Sequence, residues 1–192
     1  MQKSRCSVEL CYLCDIASGK EQRVHIAFED DLALALLVTE PVNPGQLVIL
    51  PRAHVATLEE MGAENVARFF DIARRLIQAI RKAGIKCDGT ELHLSEGPTS
   101  GLPHFLMQLL PRFEGDWLWT KATLSWDRSH GLGPRGPLWW EEFALRQFGD
   151  AWLPKRDVSD EELREVAGRI RDAYWSEWGS DPLAGLELMR RS

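Results

Sequence analysis

One long amphipathic segment, residues 63–84, constrains the fold of this chain more than any other feature of its sequence. Apolar side chains recur along it every three or four residues, which predicts an α-helix with a single buried face. The apolar stripe consists of Val66, Phe69, Phe70, Ala73, Leu76, Ile77 and Ile80. Gly84 is a natural C-terminal end for this helix. Such a helix has to bury its stripe against another element, so the rest of the chain must provide an apolar surface.

Five shorter apolar segments are typical of β-strands and can provide that surface. They cover Arg23–Asp31, Leu32–Val38, Gln46–Val55, Gly89–Gly97 and His104–Leu110. The third segment breaks at Pro51 and leaves His54 just beyond its end. With five strands around one long helix, the sequence predicts an α+β fold built on an antiparallel sheet.

The last of these strands carries polar side chains in an otherwise apolar run. Successive side chains of a strand point to opposite faces of the sheet. One face therefore presents Phe105, Met107 and Leu109, and the other presents His104, Leu106, Gln108 and Leu110. The second face thus combines a His and a Gln with a Leu between them, which raises the question of what these polar groups do.

The composition changes after Asp116, since all eight Trp residues follow it. Residues 138–149 and 159–179 are typical of helices, and Ser159 with Glu162 predicts a capping box at the start of the second. One face of that helix collects Leu163, Val166, Ala167, Ile170 and Tyr174. We expect a domain over residues 1–116 and a helical, Trp-rich extension over residues 117–192, packed on that domain or on a partner subunit. The alternative is that the Trp cluster lines a ligand site.

Charge and hydropathy exclude several classes of function. The formal net charge of −6 provides no basic surface, so non-specific binding to nucleic acid is not expected. No apolar run approaches the length of a membrane span, and the charged start of the chain leads into no long apolar signal core. A hydrophobic content of 44% suits a protein with a substantial core. We expect a soluble, cytoplasmic protein.

Two of the four Cys residues have the spacing of metal ligands. Cys11 and Cys14 form a C-x-x-C pair, which lets both sulfurs reach one tetrahedral metal ion. In a reducing compartment such a pair indicates metal or redox chemistry rather than a structural disulfide. From the residues alone, a metal site with two His ligands and a set of buried thiols beside a core His remain equally open.

Several short motifs, in order along the chain, resemble the histidine triad (HIT) family. They are "CYLCDIASG", "FEDDLALALLV", "PVNPGQLVILPRAHVATL", "DGTELHLSEGP" and "PHFLMQLLPRFEGD". The resemblance covers roughly residues 6–116 and implies a HIT-like antiparallel sheet with one long helix. It also implies a nucleotide hydrolase or transferase that is often a homodimer. Galactose-1-phosphate uridylyltransferase is a more distant relative, with a His-x-His-x-Gln motif in place of the triad.

The resemblance implies a zinc site. In zinc-containing members of the family, the metal is held by the C-x-x-C thiolates, by the His of the "PRAHV" element and by the first His of the triad. These positions are Cys11, Cys14, His54 and His104 in this chain. Two thiolates and two imidazoles leave no open coordination position, so this zinc is expected to be structural rather than catalytic.

The resemblance also identifies a missing group. In the family, the second His of the triad attacks the α-phosphate and forms a covalent nucleotidyl intermediate. Leu106 occupies this position here, and Gln108 occupies the third, as in the uridylyltransferase relatives. An acidic residue that commonly holds the ribose hydroxyls is replaced by Val38. The usual HIT chemistry is therefore not expected.

The neighbouring strand supplies other candidates for a ligand site. Glu91, His93 and Ser95 share one face, and the family alignment directs that face at the old active site. We predict a ligand-binding set of Glu91, His93, Ser95, Glu96, Gly97 and Gln108. Two functions follow: a protein that binds a phosphorylated small molecule or a partner, and a divergent nucleotide hydrolase or nucleotidyltransferase that uses His93 or a water. A simpler interpretation makes His93 a hydrogen-bonded side chain in a pocket wall.

Overall fold

The computed structural model describes residues 11–21, 24–97, 100, 102–116 and 158–179. In chain order these residues form α1 (Tyr12–Ala17), β1 (Ile26–Glu29), β2 (Ala33–Leu37), β3 (Leu47–Pro51), α2 (Leu58–Met61), α3 (Ala63–Lys82), β4 (Gly89–Ser95), β5 (Leu106–Arg112) and α4 (Asp160–Trp178). All five predicted strands and the long helix are confirmed. The short helices α1 and α2 were not predicted.

The strands form one antiparallel sheet in the order β1-β2-β3-β5-β4. β5 therefore lies inside the sheet, between β3 and β4. It begins two residues later than predicted, because the backbone N–H of Phe105 donates to the Val55 carbonyl in the loop after β3 (2.7 Å). The register places His93 opposite Gln108 and Ser95 opposite Leu106.

The two faces of the sheet differ in what covers them. On one face, α3 and α4 pack over the large core, which includes Met107 and Leu109 of β5 and Phe105 just before that strand. The rings of Phe69 on α3 and Phe105 lie 5.4 Å apart. The other face carries a smaller cluster made of Ile16, Ala17, Leu34, Leu36, Leu50 and Leu106. The alternation predicted for β5 is thus confirmed, and α1 covers part of the second face.

Helix α4 is part of the main core. The Ser159 hydroxyl accepts a hydrogen bond from the Glu162 backbone N–H (3.1 Å), which confirms the predicted N-cap. The buried side chains of the helix are Leu163, Ala167, Ile170 and Tyr174. Tyr174 packs on Phe28 of β1 with ring centroids 4.6 Å apart. The helical extension is therefore confirmed at α4, and this helix packs on the sheet and on α3.

The rest of the extension lies outside the described residues. This applies to the helix predicted over residues 138–149 and to six of the Trp residues. Trp175 and Trp178 are partly buried against the main core. The domain division at residue 116 stays a prediction. Among the described residues, no helix combines the length and the hydropathy that a membrane crossing requires.

Arg75 on α3 is a fully buried charge that the amphipathic pattern did not predict. Its Nε donates to Asp71 Oδ2 (2.7 Å), and its guanidinium lies 5.7 Å from the centroid of the Trp178 ring. Arg75 is not part of the predicted apolar stripe, yet α4 packs over it. The ion pair of Arg75 with Asp71 and its cation–π contact with Trp178 therefore lie at the interface between α3 and α4.

Candidate metal centre and ligand face

Four side chains from three separate parts of the chain meet near the start of β5. Cys11 precedes α1, and Cys14 lies in the first turn of that helix. His54 lies in the loop after β3, and His104 lies two residues before β5. One Cys or His ligand atom from each residue lies within 4.8 Å of the other three. The metal-ligand set predicted from the sequence is thus brought together in the fold.

The distances within this cluster suit ligands that surround one ion. Cys14 Sγ lies 3.0 Å from His54 Nδ1. His104 Nδ1 lies 3.6 Å from both Cys14 Sγ and Cys11 Sγ. The two imidazole rings meet edge to face, with centroids 5.3 Å apart. All three contacts thus use the Nδ1 atoms of the rings.

The second ring nitrogen of His104 fixes the protonation of the first. His104 Nε2 lies 2.9 Å from the Pro51 carbonyl, which can only accept a hydrogen bond. The proton of a neutral ring therefore resides on Nε2, and the lone pair of Nδ1 faces the thiols. His104 is fully buried, and burial lowers its pKa, which favours the neutral form that binds metals.

The Cys14 thiol has a raised pKa when no metal is bound. Burial and the neighbouring Cys11 thiol raise the pKa of Cys14 to about 11. A metal ion must therefore displace protons from the cluster, as it does at other thiolate sites. Two sulfur and two nitrogen donors form the tetrahedral set that zinc prefers, so the residues of this chain fit a zinc ion.

Four residues of the predicted ligand set lie on β4 and β5, beyond the metal cluster: Glu91, His93, Ser95 and Gln108. His93 and Ser95 of β4 face the same side of the sheet as Leu106 and Gln108 of β5. His93 and Gln108 are cross-strand neighbours. Leu106 is 5% exposed and packs in the smaller apolar cluster. This surface, made of His93, Ser95, Leu106 and Gln108, is called the ligand face below.

Glu91 lies beside His93, and its two carboxylate oxygens face different partners. Its Oε2 lies 3.4 Å from His93 Nε2. Its Oε1 accepts a hydrogen bond from Arg112 Nη1. The side chain of Glu91 is 24% exposed and that of His93 is 13% exposed, so both side chains are largely shielded from water.

Behind Glu91 lies a polar network that no sequence pattern indicated. Arg112 also donates to both carboxylate oxygens of Asp116, from Nε (2.6 Å) and from Nη2 (3.0 Å). Asn43 Nδ2 donates to Asp116 Oδ2 (2.9 Å) and to the Pro111 carbonyl (2.8 Å). The side chain of Asp116 is fully buried. The network thus connects β4, β5 and the loop before β3.

The remaining predicted site residues lie elsewhere. Glu96 Oε2 accepts a hydrogen bond from the backbone N–H of Leu58 (3.0 Å), the first residue of α2. The N–H of Gly97 donates to the Ala56 carbonyl (2.8 Å), and its φ of 70° is one that glycine adopts without strain. Glu96 therefore stabilises the start of a helix, and the structure does not bring it to the ligand face with His93.

Comparison with known sequences gives a consistent family assignment. A HIT domain model matches residues 19–109. An uncharacterized HIT-like protein of Methanocaldococcus jannaschii is 28% identical over 109 residues, which make up 56% of this chain and 82% of that protein. An adenylylsulfatase of Arabidopsis thaliana is 32% identical over 124 residues, which make up 64% of this chain and 60% of that protein.

Solved structures share the fold. A hypothetical histidine triad nucleotide-binding protein from Sulfolobus tokodaii superposes with a TM-score of 0.60 and 19% identity, over 86% of this chain and 93% of its own. A zinc-bound histidine triad family protein from Mycobacterium smegmatis superposes with a TM-score of 0.56 and 22% identity, over 87% and 99%. The HIT domain match over residues 19–109, the HIT-like relatives and the shared fold together support membership of the HIT superfamily.

Proposed function

We propose that this chain is a zinc-stabilised HIT protein that binds a phosphorylated small molecule on its ligand face and does not transfer nucleotides through a histidine. The observation that carries the proposal is Leu106. The family resemblance assigns the nucleophilic imidazole to this position, and a buried leucine has no lone pair with which to attack phosphorus. The polar groups that remain beside it, on Gln108, Ser95 and His93, can hydrogen-bond to phosphate oxygens.

The zinc part of the proposal rests on the cluster of Cys11, Cys14, His54 and His104. Its donor atoms, its spacing and the tautomer that Pro51 imposes on His104 all suit zinc. The neighbour from Mycobacterium smegmatis, described as zinc-bound, supports the same ion. With four protein ligands the ion would fasten α1 to the loops around β3 and β5. A reducing cytoplasm, where thiols stay free to bind metal, is the compartment we propose.

A binding experiment tests the ligand part of the proposal. Inorganic phosphate and AMP are titrated separately into the isotope-labelled full chain, and amide and side-chain shifts are followed by NMR. We expect saturable changes at Gln108, His93 and Ser95, and a loss of binding in Gln108→Leu. Gln78→Leu, on the outer surface of α3, is the matched control and should bind normally. Absence of saturable binding by the unchanged chain would contradict the proposal.

One observation favours a second function, a divergent nucleotide hydrolase or nucleotidyltransferase. The 3.4 Å separation of His93 Nε2 and Glu91 Oε2 resembles the base–carboxylate pairs of acid–base catalysis, which are often loose without substrate. The relative named as an adenylylsulfatase suggests adenylyl sulfate as the substrate to test. Turnover by the unchanged chain that disappears in His93→Ala, with zinc content unchanged, would support this function over the first.

We also propose a homodimer through the edge strand β4. Leu92 and Leu94 are 40% and 44% exposed, and β4 pairs with no second strand among the described residues. An exposed apolar edge strand is a common site of pairing between subunits. Light scattering should give twice the chain mass for the unchanged protein. Leu92→Lys with Leu94→Lys should give the mass of a monomer, whereas a monomeric unchanged protein would overturn the proposal.

A further inference from the structure

A cavity of about 530 Å³ lies between strand β1 and helix α4. Residues 24–26 line it from the strand side, and one side of α4 lines it with Asp160, Arg164, Ala167 and Arg171. β1 and β4 are the two edge strands of the sheet, so the cavity lies at the edge opposite to the strand that carries part of the ligand face. The cavity has a volume typical of small-molecule sites and is separate from the ligand face.

Part of the cavity wall is apolar. Ala167 is 4% exposed and belongs to the main core. Val24 and Ile26 are partly buried against the smaller apolar cluster. These side chains can contact the organic part of a ligand, so the wall suits a small organic molecule rather than a free inorganic ion.

Asp160 is the acidic residue of the wall, and its carboxylate already lies against two side chains. Its Oδ1 lies 2.9 Å from His25 Nε2, and the side chain of His25 is 10% exposed. Its Oδ2 accepts a hydrogen bond from Arg164 Nη2. Because Arg164 matches the charge of Asp160, this carboxylate should repel an incoming anion only weakly.

Arg171 is attached to the strand but has no acidic partner. Its Nη1 donates to the backbone carbonyl of Ile26 (3.2 Å). Within the part of the chain that the structure describes, no carboxylate forms an ion pair with its guanidinium. Arg171 is exposed, so its remaining N–H groups are open to a ligand. A guanidinium presents its donors in a planar fork that matches the oxygens of a carboxylate or a phosphate.

We propose that this cavity binds a small organic anion, whose carboxylate or phosphate group pairs with Arg171 and whose organic part contacts Ile26 and Ala167. The wall contains two arginines and one aspartate, so it carries an excess of positive charge, whereas the whole chain has a net charge of −6. A local positive charge on an acidic protein favours anions at this position. The inference does not depend on the ligand proposed for the ligand face.

Three matched probes test the inference: benzoate, phenyl phosphate and the uncharged benzyl alcohol. Each is titrated into the isotope-labelled full chain, and amide shifts are followed by NMR. The decisive variant is Arg171→Gln, which removes the charge from an exposed side chain. Arg81→Gln is the matched control, because Arg81 is also exposed and also donates to a backbone carbonyl, that of Cys87 (3.0 Å), away from the cavity.

We expect saturable shift changes at Ile26 and Ala167 with at least one of the two anions, and none with benzyl alcohol at the same concentrations. Saturation by benzoate alone would identify a carboxylate ligand, and saturation by phenyl phosphate alone a phosphate ligand. Arg171→Gln should weaken the affinity about tenfold, whereas Arg81→Gln should leave it unchanged. Absence of saturation with both anions, equal binding of benzyl alcohol, or changes confined to Gln108 and His93 would overturn the inference.

Discussion

The metal cluster and the ligand face are neighbours at β5, yet they differ in how completely they match the pattern that the family resemblance implies. At the cluster, four donor atoms from three segments lie within 4.8 Å of one another, and Pro51 fixes the tautomer of His104. Two residues further, the same face of the strand presents the buried Leu106. The comparison teaches that a metal site depends on all four of its ligands together, so a substitution at any one of them is expected to release the ion. A substitution at position 106, in contrast, changes one side chain and leaves the backbone pairing of the strands intact.

Loss of a metal ligand should produce the largest effect on the fold. Cys14→Ser removes one of four donors, so zinc should dissociate and the contacts of α1 with the sheet should weaken. We expect a loss of at least about 3 kcal/mol in the free energy of unfolding, or roughly 6–12 °C in Tm. Metal analysis and calorimetry measure both effects. Cys87→Ser, which changes a thiol outside the cluster, should retain zinc. Full zinc content and an unchanged Tm in Cys14→Ser would contradict this account.

Truncating a buried side chain of α4 should have the next largest effect on stability and should leave the metal cluster intact. Ile170 is fully buried between α4 and the sheet. Ile170→Ala should cost about 2–5 kcal/mol in the free energy of unfolding, because it opens a cavity in the main core. Zinc content should not change, since α4 supplies no ligand. Glu165→Ala, on the exposed side of α4, should change stability by less than about 0.5 kcal/mol. Equal stability of the two variants would show that α4 does not support the domain.

The smallest expected effect concerns an exposed ion pair near the β1–β2 turn. The Arg68 guanidinium holds the pKa of Asp31 below its usual value of 3.8. A lowered pKa in the folded state contributes stability above pH 3.8, and this contribution disappears as the pH falls through the folded value. Because Asp31 is 77% exposed, the effect should be under about 1 kcal/mol. Urea unfolding should show Asp31→Asn slightly less stable than the unchanged chain at neutral pH and equally stable near pH 2. A difference that persists in acid would contradict this explanation.

Local patterns in the sequence predicted much of the fold, and the family resemblance identified the metal ligands. The helical stripe around Phe69 and Leu76 and the alternation along β5 each depend on neighbours within one element, so they can be read from the sequence. Helices α1 and α2 have six and four residues, too few for a helical period to be seen. The burial of Arg75 could not be predicted because it depends on α4, which lies far away in sequence.

The polar network behind the ligand face could not be predicted for a related reason. Glu91 and Arg112 meet only through the register of β4 on β5, and Asn43 reaches Asp116 across 73 residues of chain. A partial signal was present for Glu91, which the alternation of β4 placed on the same face as His93. No local pattern indicated that its carboxylate faces Arg112 and His93. The role of such a residue becomes visible only when strand register and side-chain contacts are known.

The most direct test of the central claim is the release of AMP from adenylyl sulfate and from adenosine 5′-phosphoramidate, measured on full chain whose zinc content has been determined. The account predicts about one zinc per chain, no AMP release above the protein-free background and no covalent adenylate in the intact mass spectrum. The variant Leu106→His, with the same zinc content, is measured for comparison. It places an imidazole at the position that the family resemblance assigns to the nucleophile. Sustained AMP release by the unchanged chain, accompanied by an adenylate on one of its side chains, would contradict the claim that the metal site has been kept and the nucleophile lost.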